Sequence, residues 1–325
     1  MELRTFTSTT PDAATRGAEL GAAFAPQYRR TAELYLAHFA ELGIASDAVR
    51  AIAERTHASL TGWAPGLAAE AEAIAAAPGP EPWRLAAAGG RTEILAVAPP
   101  PREGECSTAV HVGPGHAAET LQTWDWHDFL VPQGLLVEFT AAGGMRVKMF
   151  TEFGTAAKIG VNSAGLGLHF NILSHQTDSD AGGVPVHAIA RRVLEEARTI
   201  EDARDIAASA PVSASTVLTV FTTDGAGSRA ASLELSPAGL GVVEPAADGW
   251  LFHTNHFLDQ ALYVGDTMPA DSTTVERFAH LDDVRDALAG LDPTARALAA
   301  CGGHGAAAEI CMTPDPTLPR VDQWA

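Results

Sequence analysis

Along the first hundred residues, apolar side chains recur every three or four positions. Tyr28, Ala32, Tyr35, Phe39 and Leu42 share one helical face, and Gly43 supplies a stop. Gly62–Ala77, rich in Ala and Glu, predicts another helix, and a short strand opens the chain near Leu3–Thr7. Two breaks follow, at Pro78, Gly79, Pro80 and Pro82 and then at Pro99-Pro100-Pro101-Arg102-Glu103-Gly104-Glu105. Proline removes backbone donors and favours extended chain. The second break therefore reads as an exposed linker running into a strand.

From Ser107 onward the pattern changes to strands. Ser107–Val112, Gly134–Phe139, Arg146–Phe150, Leu168–Leu173, Thr216–Thr222 and Ser232–Leu235 are short and either alternating or rich in β-branched residues. Two helices intervene. Val186–Arg198 sets Ile189, Val193, Ala197 and Ile200 on one face, and Thr199 with Asp202 marks the N-cap of the next helix, through about Ala208. Strand runs with grouped helices predict an α+β fold of layered sheets, not alternating βαβ units.

The chain has 325 residues, 46% of them hydrophobic. No segment reaches the unbroken apolar run of about 20 residues that a membrane span needs. Acidic residues outnumber basic ones 40 to 21, a net charge of -19, which argues against nucleic acid and anionic membrane as partners. The excess reads as a solvated surface, or as a field that collects a cationic substrate. Cys106, Cys301 and Cys311 are too few and too scattered for a disulfide framework or a zinc cluster. The opening residues lack a basic stretch followed by an apolar block, so the expected location is cytoplasmic. Heavy use of Ala, Gly and Pro suggests a GC-rich bacterial gene.

Familiar cofactor and hydrolase motifs are absent: no G-x-S-x-G, H-E-x-x-H, Walker loop or G-x-G-x-x-G opens a helix. Gly113-Pro114-Gly115 and Gly143-Gly144 read as hairpin turns. His127, His253 and His256 complete no known ligand spacing. No metal and no cofactor is expected.

The informative stretch is Glu103-Gly104-Glu105-Cys106-Ser107-Thr108-Ala109-Val110. Cys106 stands where the proline-rich linker meets the first strand of the β-rich region. Taken alone, that position suits a buried structural cysteine as well as a nucleophile. Three more segments carry chemistry: Gln122-Thr123-Trp124-Asp125-Trp126-His127, Lys158-Ile159-Gly160-Val161-Asn162-Ser163-Ala164-Gly165-Leu166, and Phe252-His253-Thr254-Asn255-His256-Phe257. Asp125 is either functional or a turn residue between two tryptophans. Asn162 and Ser163 lie in a glycine-bounded loop, either a structural turn or a wall of a substrate pocket.

These segments, with Pro11, Arg16-Gly17, Leu20-Gly21 and Leu235-Ser236-Pro237-Ala238-Gly239, resemble the family of acyl-coenzyme A:6-aminopenicillanic acid acyltransferases. That family also includes β-alanyl-amine hydrolases. The ordered set spans nearly the whole chain. The resemblance implies a four-layer αββα sandwich of the N-terminal-nucleophile hydrolases, cleaved by itself between Glu105 and Cys106. It further implies that Cys106 attacks the acyl donor, that Asn255 helps form the oxyanion hole, and that Asp125 orients the new amino terminus. Residues 1–105 would become a helical α chain and 106–325 a strand-rich β chain, both in one domain.

The residue types suit this chemistry. A thiol attacking the Glu105 carbonyl gives a thioester that water resolves, freeing the α-amine of Cys106. That amine, with an ordinary pKa of about 7.7–8.0, then serves as the base for its own thiol. Two departures stand out. Relatives commonly carry Gly before the cleaved bond, where this chain has Glu105. The chain also stops at Asp322-Gln323-Trp324-Ala325, short of the final core strands the resemblance implies. No segment near Cys106, Asp125, Asn162 or Asn255 holds more than one or two Lys or Arg, Lys158 and Arg146 being the nearest. The expected partner is therefore a small N-acyl amine, such as an aminoacyl conjugate of a biogenic amine, rather than acyl-coenzyme A. The alternatives are an acyl-coenzyme A-dependent N-acyltransferase, a non-processing cysteine peptidase with a Cys–His pair, and a non-catalytic binding protein.

Overall fold

A computed structural model of the chain describes residues 2–77, 81–98, 106–269, 272–301, 310–320 and 323. The linker 99–105, including Glu105, and the break at 78–80 lie outside the described residues.

The chain opens with strand β1 (Glu2–Thr7) and helix α1 (Ala13–Glu41). Asp12 caps α1 by accepting the Thr15 N–H at 2.8 Å, and Gly43 stops it in the left-handed region at φ 78°. Helices α2 (Ser46–Trp63) and α3 (Pro65–Ala76) replace the single helix predicted over Gly62–Ala77. Pro65 cannot continue the hydrogen-bond ladder of α2, but it fits the first turn of a new helix. Pro82, predicted as part of a break, likewise starts α4 (Pro82–Gly89), and α5 (Arg91–Leu95) follows.

Eleven strands form two sheets among the described residues. The first three after the linker are β2 (Ser107–His111), β3 (Glu119–Thr123) and β4 (Gln133–Thr140). Next come β5 (Arg146–Glu152), β6 (Ile159–Asn162) and β7 (Leu166–Ile172). Helices α6 (Val186–Glu196) and α7 (Ile200–Ala208) precede β8 (Thr216–Asp224), β9 (Gly227–Ser236), β10 (Gly239–Val243) and β11 (Trp250–His253). Helices α8 (Gln260–Tyr263), α9 (Thr274–Leu288) and α10 (Pro293–Ala300) follow. The six predicted strands are present; β3, β6, β10 and β11 were not anticipated. Helix α6 ends before Arg198 because the Arg198 and Thr199 N–H groups turn to the Asp202 carboxylate, at 3.0 Å each. Thr199 and Asp202 complete the predicted capping box.

The large sheet runs β1-β4-β5-β6-β7-β8-β9-β10 and the small one β11-β2-β3. β1 pairs in parallel with β4, so the segment before the linker contributes a strand to the same sheet as the segment after it. Strand alternation sorts the layers. In β7, Leu166, Leu168, Phe170 and Ile172 join a core with Ile189 and Val193 of α6, while Asn171 meets Thr108 of the small sheet. In β2, Ala109 packs with Trp250 and Phe252 and with Leu281 and Leu288 of α9, whereas Val110 faces Ala230 of the large sheet. Helices, sheet, sheet and helices thus stack in the four-layer αββα order. No described helix is long and apolar enough to cross a membrane.

Candidate active site

Cys106 immediately precedes β2, on the same alternation as Thr108 and Val110, which places it between the two sheets. It is 2% exposed. Its carbonyl accepts hydrogen bonds from the Arg277 guanidinium at 2.6 Å and from the Asn171 amide at 3.2 Å. Burial, reinforced by the Asp125 carboxylate, pushes the Cys106 thiol up to about 11. The charges of Lys158 and Arg277 act the other way, as does a hydrogen bond from the Asp125 backbone N–H.

The structure brings Asp125 and Asn255 to Cys106. Asp125 is buried after the end of β3, and its carboxylate accepts the Met312 N–H at 3.0 Å. Asn255 follows β11. Its side-chain oxygen accepts from Arg277 at 2.9 Å, and its amide donates to the Ile172 carbonyl at 3.0 Å. Thr274 holds its backbone N–H at 2.7 Å. Asn162 and Ser163 lie elsewhere, at the β6–β7 turn, the end of β7 opposite to Asn171. Asn162 donates to the Leu194 and Ala197 carbonyls at 3.1 and 2.8 Å and accepts from Ala164 and Leu166. Ser163 accepts the Arg146 N–H at 3.1 Å. Every one of those partners of Asn162 is backbone, an arrangement that fastens a turn to the end of α6.

Three residues at the site were not singled out by sequence. Arg277, fully buried on α9, also donates to Ser107 Oγ at 2.9 Å. Asn171 donates to the carbonyls of Cys106, His253 and Thr254 and accepts from Thr108 at 2.8 Å, tying β7 to both β2 and β11. An Asn inside the mostly apolar run Leu168–Leu173 was a readable signal. Lys158 was noted only as a neighbour in sequence. It lies 3.0 Å from Glu152 and 3.9 Å above the Trp124 ring. Glu152 is shared with Arg91 at 2.7 Å and accepts the Tyr35 hydroxyl at 2.6 Å. Folding therefore surrounds Cys106 with more positive charge than its neighbouring segments contain. This corrects the expectation, based on segment counts, that no basic cluster forms here.

The histidines do not converge. His253 contacts Glu234 at 2.7 Å, His256 contacts Thr254 and Thr274, and the His127 ring packs on His38 at 4.7 Å. Among the described residues no group of three or more His, Cys, Asp or Glu is placed to hold a metal ion.

Burial and the Arg91 charge bring the Lys158 amine down to about 8 despite Glu152, so much of it remains cationic at neutral pH. Lys158→Met should remove a charge that favours the Cys106 thiolate. Iodoacetamide labelling of Cys106 at pH 8, read by mass, should then slow by several-fold to about tenfold, since one pKa unit is a tenfold change in thiolate. Lys158→Arg should keep the wild-type rate. Equal labelling of the Met variant and wild type would rule out this electrostatic role.

Residues 119–290 match the family model of acyl-coenzyme A:6-aminopenicillanic acid acyl-transferase. The match includes Asp125, Lys158, Asn171, Asn255 and Arg277 and begins after Cys106. The 40 kDa form of acyl-coenzyme A:6-aminopenicillanic-acid-acyltransferase from Emericella nidulans is 31% identical over 170 residues, 52% of this chain and 45% of the relative. The chain thus spans less than half the length of that curated relative. A penicillin V acylase from Agrobacterium tumefaciens aligns in structure at a TM-score of 0.34 and 17% identity, covering 60% of this chain and 62% of the acylase.

Proposed function

Since the chain belongs to the acyl-coenzyme A:6-aminopenicillanic acid acyl-transferase family, we propose that it cleaves itself before Cys106 and then uses that cysteine to break the C–N amide bond of a small N-acyl amine. The observation that carries this reading is the setting of Cys106: a buried thiol between the sheets, with Asp125 at its sulfur and Arg277 and Asn171 on its carbonyl.

In the uncleaved chain the Cys106 nitrogen is an amide and cannot act as a base. The thiol adds to the Glu105 carbonyl, the C–N bond breaks, and its nitrogen leaves as the α-amine while a thioester forms. Water then attacks the thioester, releasing the Glu105 carboxylate and the free thiol. Residues 1–105 and 106–325 separate as chains yet stay in one domain, held by pairing between β1 and β4. The new α-amine takes the thiol proton in each turnover, and the Asp125 carboxylate orients it as a cation. Arg277 fixes the Asn255 side-chain oxygen, and one amide hydrogen is used by Ile172. The second hydrogen of that amide is left to stabilise the tetrahedral oxyanion. Water or an amine then accepts the acyl group.

The basic residues near Cys106 bear on the donor. Arg91 and Lys158 are engaged by Glu152, and Arg277 is buried against Cys106, Ser107 and Asn255. A phosphate-rich carrier such as coenzyme A needs accessible charge, so a small N-acyl amine is the better fit. Panels of N-acyl amines and acyl-coenzyme A donors, assayed side by side at low and moderate salt, test this. At least one amide should turn over faster than every thioester. Faster release of coenzyme A than of any amine would establish the acyltransferase alternative instead.

A further inference from the structure

A cavity of about 510 Å³ lies on the other face of the large sheet from Cys106. Leu60, Leu67 and Leu85 wall it from the helices, and Leu135, Val137 and Met149 from β4 and β5. None of Cys106, Asp125, Asn171 and Asn255 lines it. Alternation along β5 separates the two sites. Met149 and Thr151 line the cavity, whereas Phe150 meets Trp124 at 5.6 Å between ring centroids and Glu152 pairs with Lys158. Protein interiors contain few voids larger than a water molecule, and an apolar space of this volume is of the size that holds small organic ligands.

The polar groups on the wall define the ligand. Tyr28 is 5% exposed, and among the described residues none gives or takes a hydrogen bond at its hydroxyl. Burial first, and then the Glu70 charge, keep the phenol protonated. Glu70 itself is engaged by Arg16 and Arg191. The interior therefore offers the Tyr28 and Thr56 hydroxyls and the Trp83 indole N–H but no free charge, and desolvating a charged head there is costly. Glu54, Glu72 and Glu81 also line the cavity and are exposed, with Arg50 and His57 among them at 2.8 Å from Glu54 and 3.0 Å from Glu72. Glu81 in turn holds Arg84 at 2.9 Å, so the basic side chains at the mouth are already paired and leave little for an anionic head.

We propose that this cavity is a second, non-catalytic binding site, for an uncharged and largely apolar molecule bearing a hydroxyl or carbonyl oxygen that pairs with the Tyr28 or Thr56 hydroxyl. The site is independent of the chemistry at Cys106.

Calorimetric titration of the whole protein with 1-octanol and with octanoate provides the test. Octanol should bind saturably at one site, and octanoate should bind at least about tenfold more weakly, a difference of about 1.4 kcal/mol. Ala71→Trp adds an indole to the half-buried α3 wall and should weaken octanol binding by more than about tenfold. Ala71→Leu, a smaller change well suited to a helix, serves if the Trp variant does not fold. Absence of saturable octanol binding overturns the proposal. So does undiminished binding by a folded Ala71 variant, because the probe then sits elsewhere. Octanoate binding as tightly as octanol refutes the assigned ligand class.

Discussion

Cys106→Ala protein should run as one chain on a denaturing gel, while wild type separates into two fragments, the larger beginning at Cys106. On the proposed mechanism the Cys106 thiol is the group that forms the thioester through which the main chain breaks, so the loss of processing should be complete. Turnover should fall by on the order of a million-fold, as when other covalent nucleophiles are removed. The substitution itself is mild in packing terms: a small buried thiol becomes a methyl, leaving the Cys106 carbonyl to Arg277 and Asn171. A cooperative melt close to that of wild type should confirm that chemistry, not folding, was lost. N-terminal sequencing of a fragment beginning at another residue would sink the mechanism. An intact wild-type chain whose Cys106 ignores iodoacetamide would favour a binding protein. An intact but active chain would favour a peptidase with a Cys–His pair.

Arg277→Met should give the second largest effect, on stability and on rate together. The guanidinium reaches Cys106 O and Ser107 Oγ at the start of β2, Asn255 Oδ1 after β11 and Thr273 Oγ1 before α9, at 2.6, 2.9, 2.9 and 3.1 Å. Methionine fills similar space but donates nothing. Each orphaned buried acceptor costs about 1–3 kcal/mol, offset in part because a buried cation is also removed, so a net loss of about 2–4 kcal/mol is expected. In variant protein that still folds and processes, the Asn255 amide loses the partner that fixes its orientation. The rate constant kcat should then fall by about 10²–10³-fold with a much smaller change in KM, as for loss of an oxyanion donor. Arg277→Lys should restore little, because one ammonium cannot reproduce the fork that meets these acceptors together. A stability loss with unchanged kcat would make Arg277 purely structural and detach Asn255 from the oxyanion role.

Local signals in the chain were enough for much of the frame. Alternating residues placed β2, β4, β5, β7, β8 and β9, and Thr199 with Asp202 marked the boundary between α6 and α7. The missed strands are short or glycine-bearing: β6 is Ile-Gly-Val-Asn and β10 is Gly-Leu-Gly-Val-Val, too brief for a period to declare itself. Helix α9 did carry a signal, with Phe278, Leu281, Val284 and Leu288 at helical spacing, so the element holding Arg277 was readable although its role was not.

What the sequence by itself determined is the position of Cys106 between a proline-rich linker and a strand, and the nearby residue types that suit acyl chemistry. A thiol, an acid and an amide are chosen by local composition, and strand alternation fixes which way each neighbour points. Only the tertiary structure decided which of them meet. Arg277 reaches a carbonyl 171 positions away and Asn171 one 65 positions away. Asn162, nearer than Arg277 to Cys106 in sequence, is carried to the far end of β7. No period or spacing encodes such distances, because they follow from which sheet faces pack together. The same packing gathers Lys158 and Arg277 beside a thiol in a chain of net charge -19. Total charge sets the field outside the protein, but burial and a few close partners set the ionisation of a group within it.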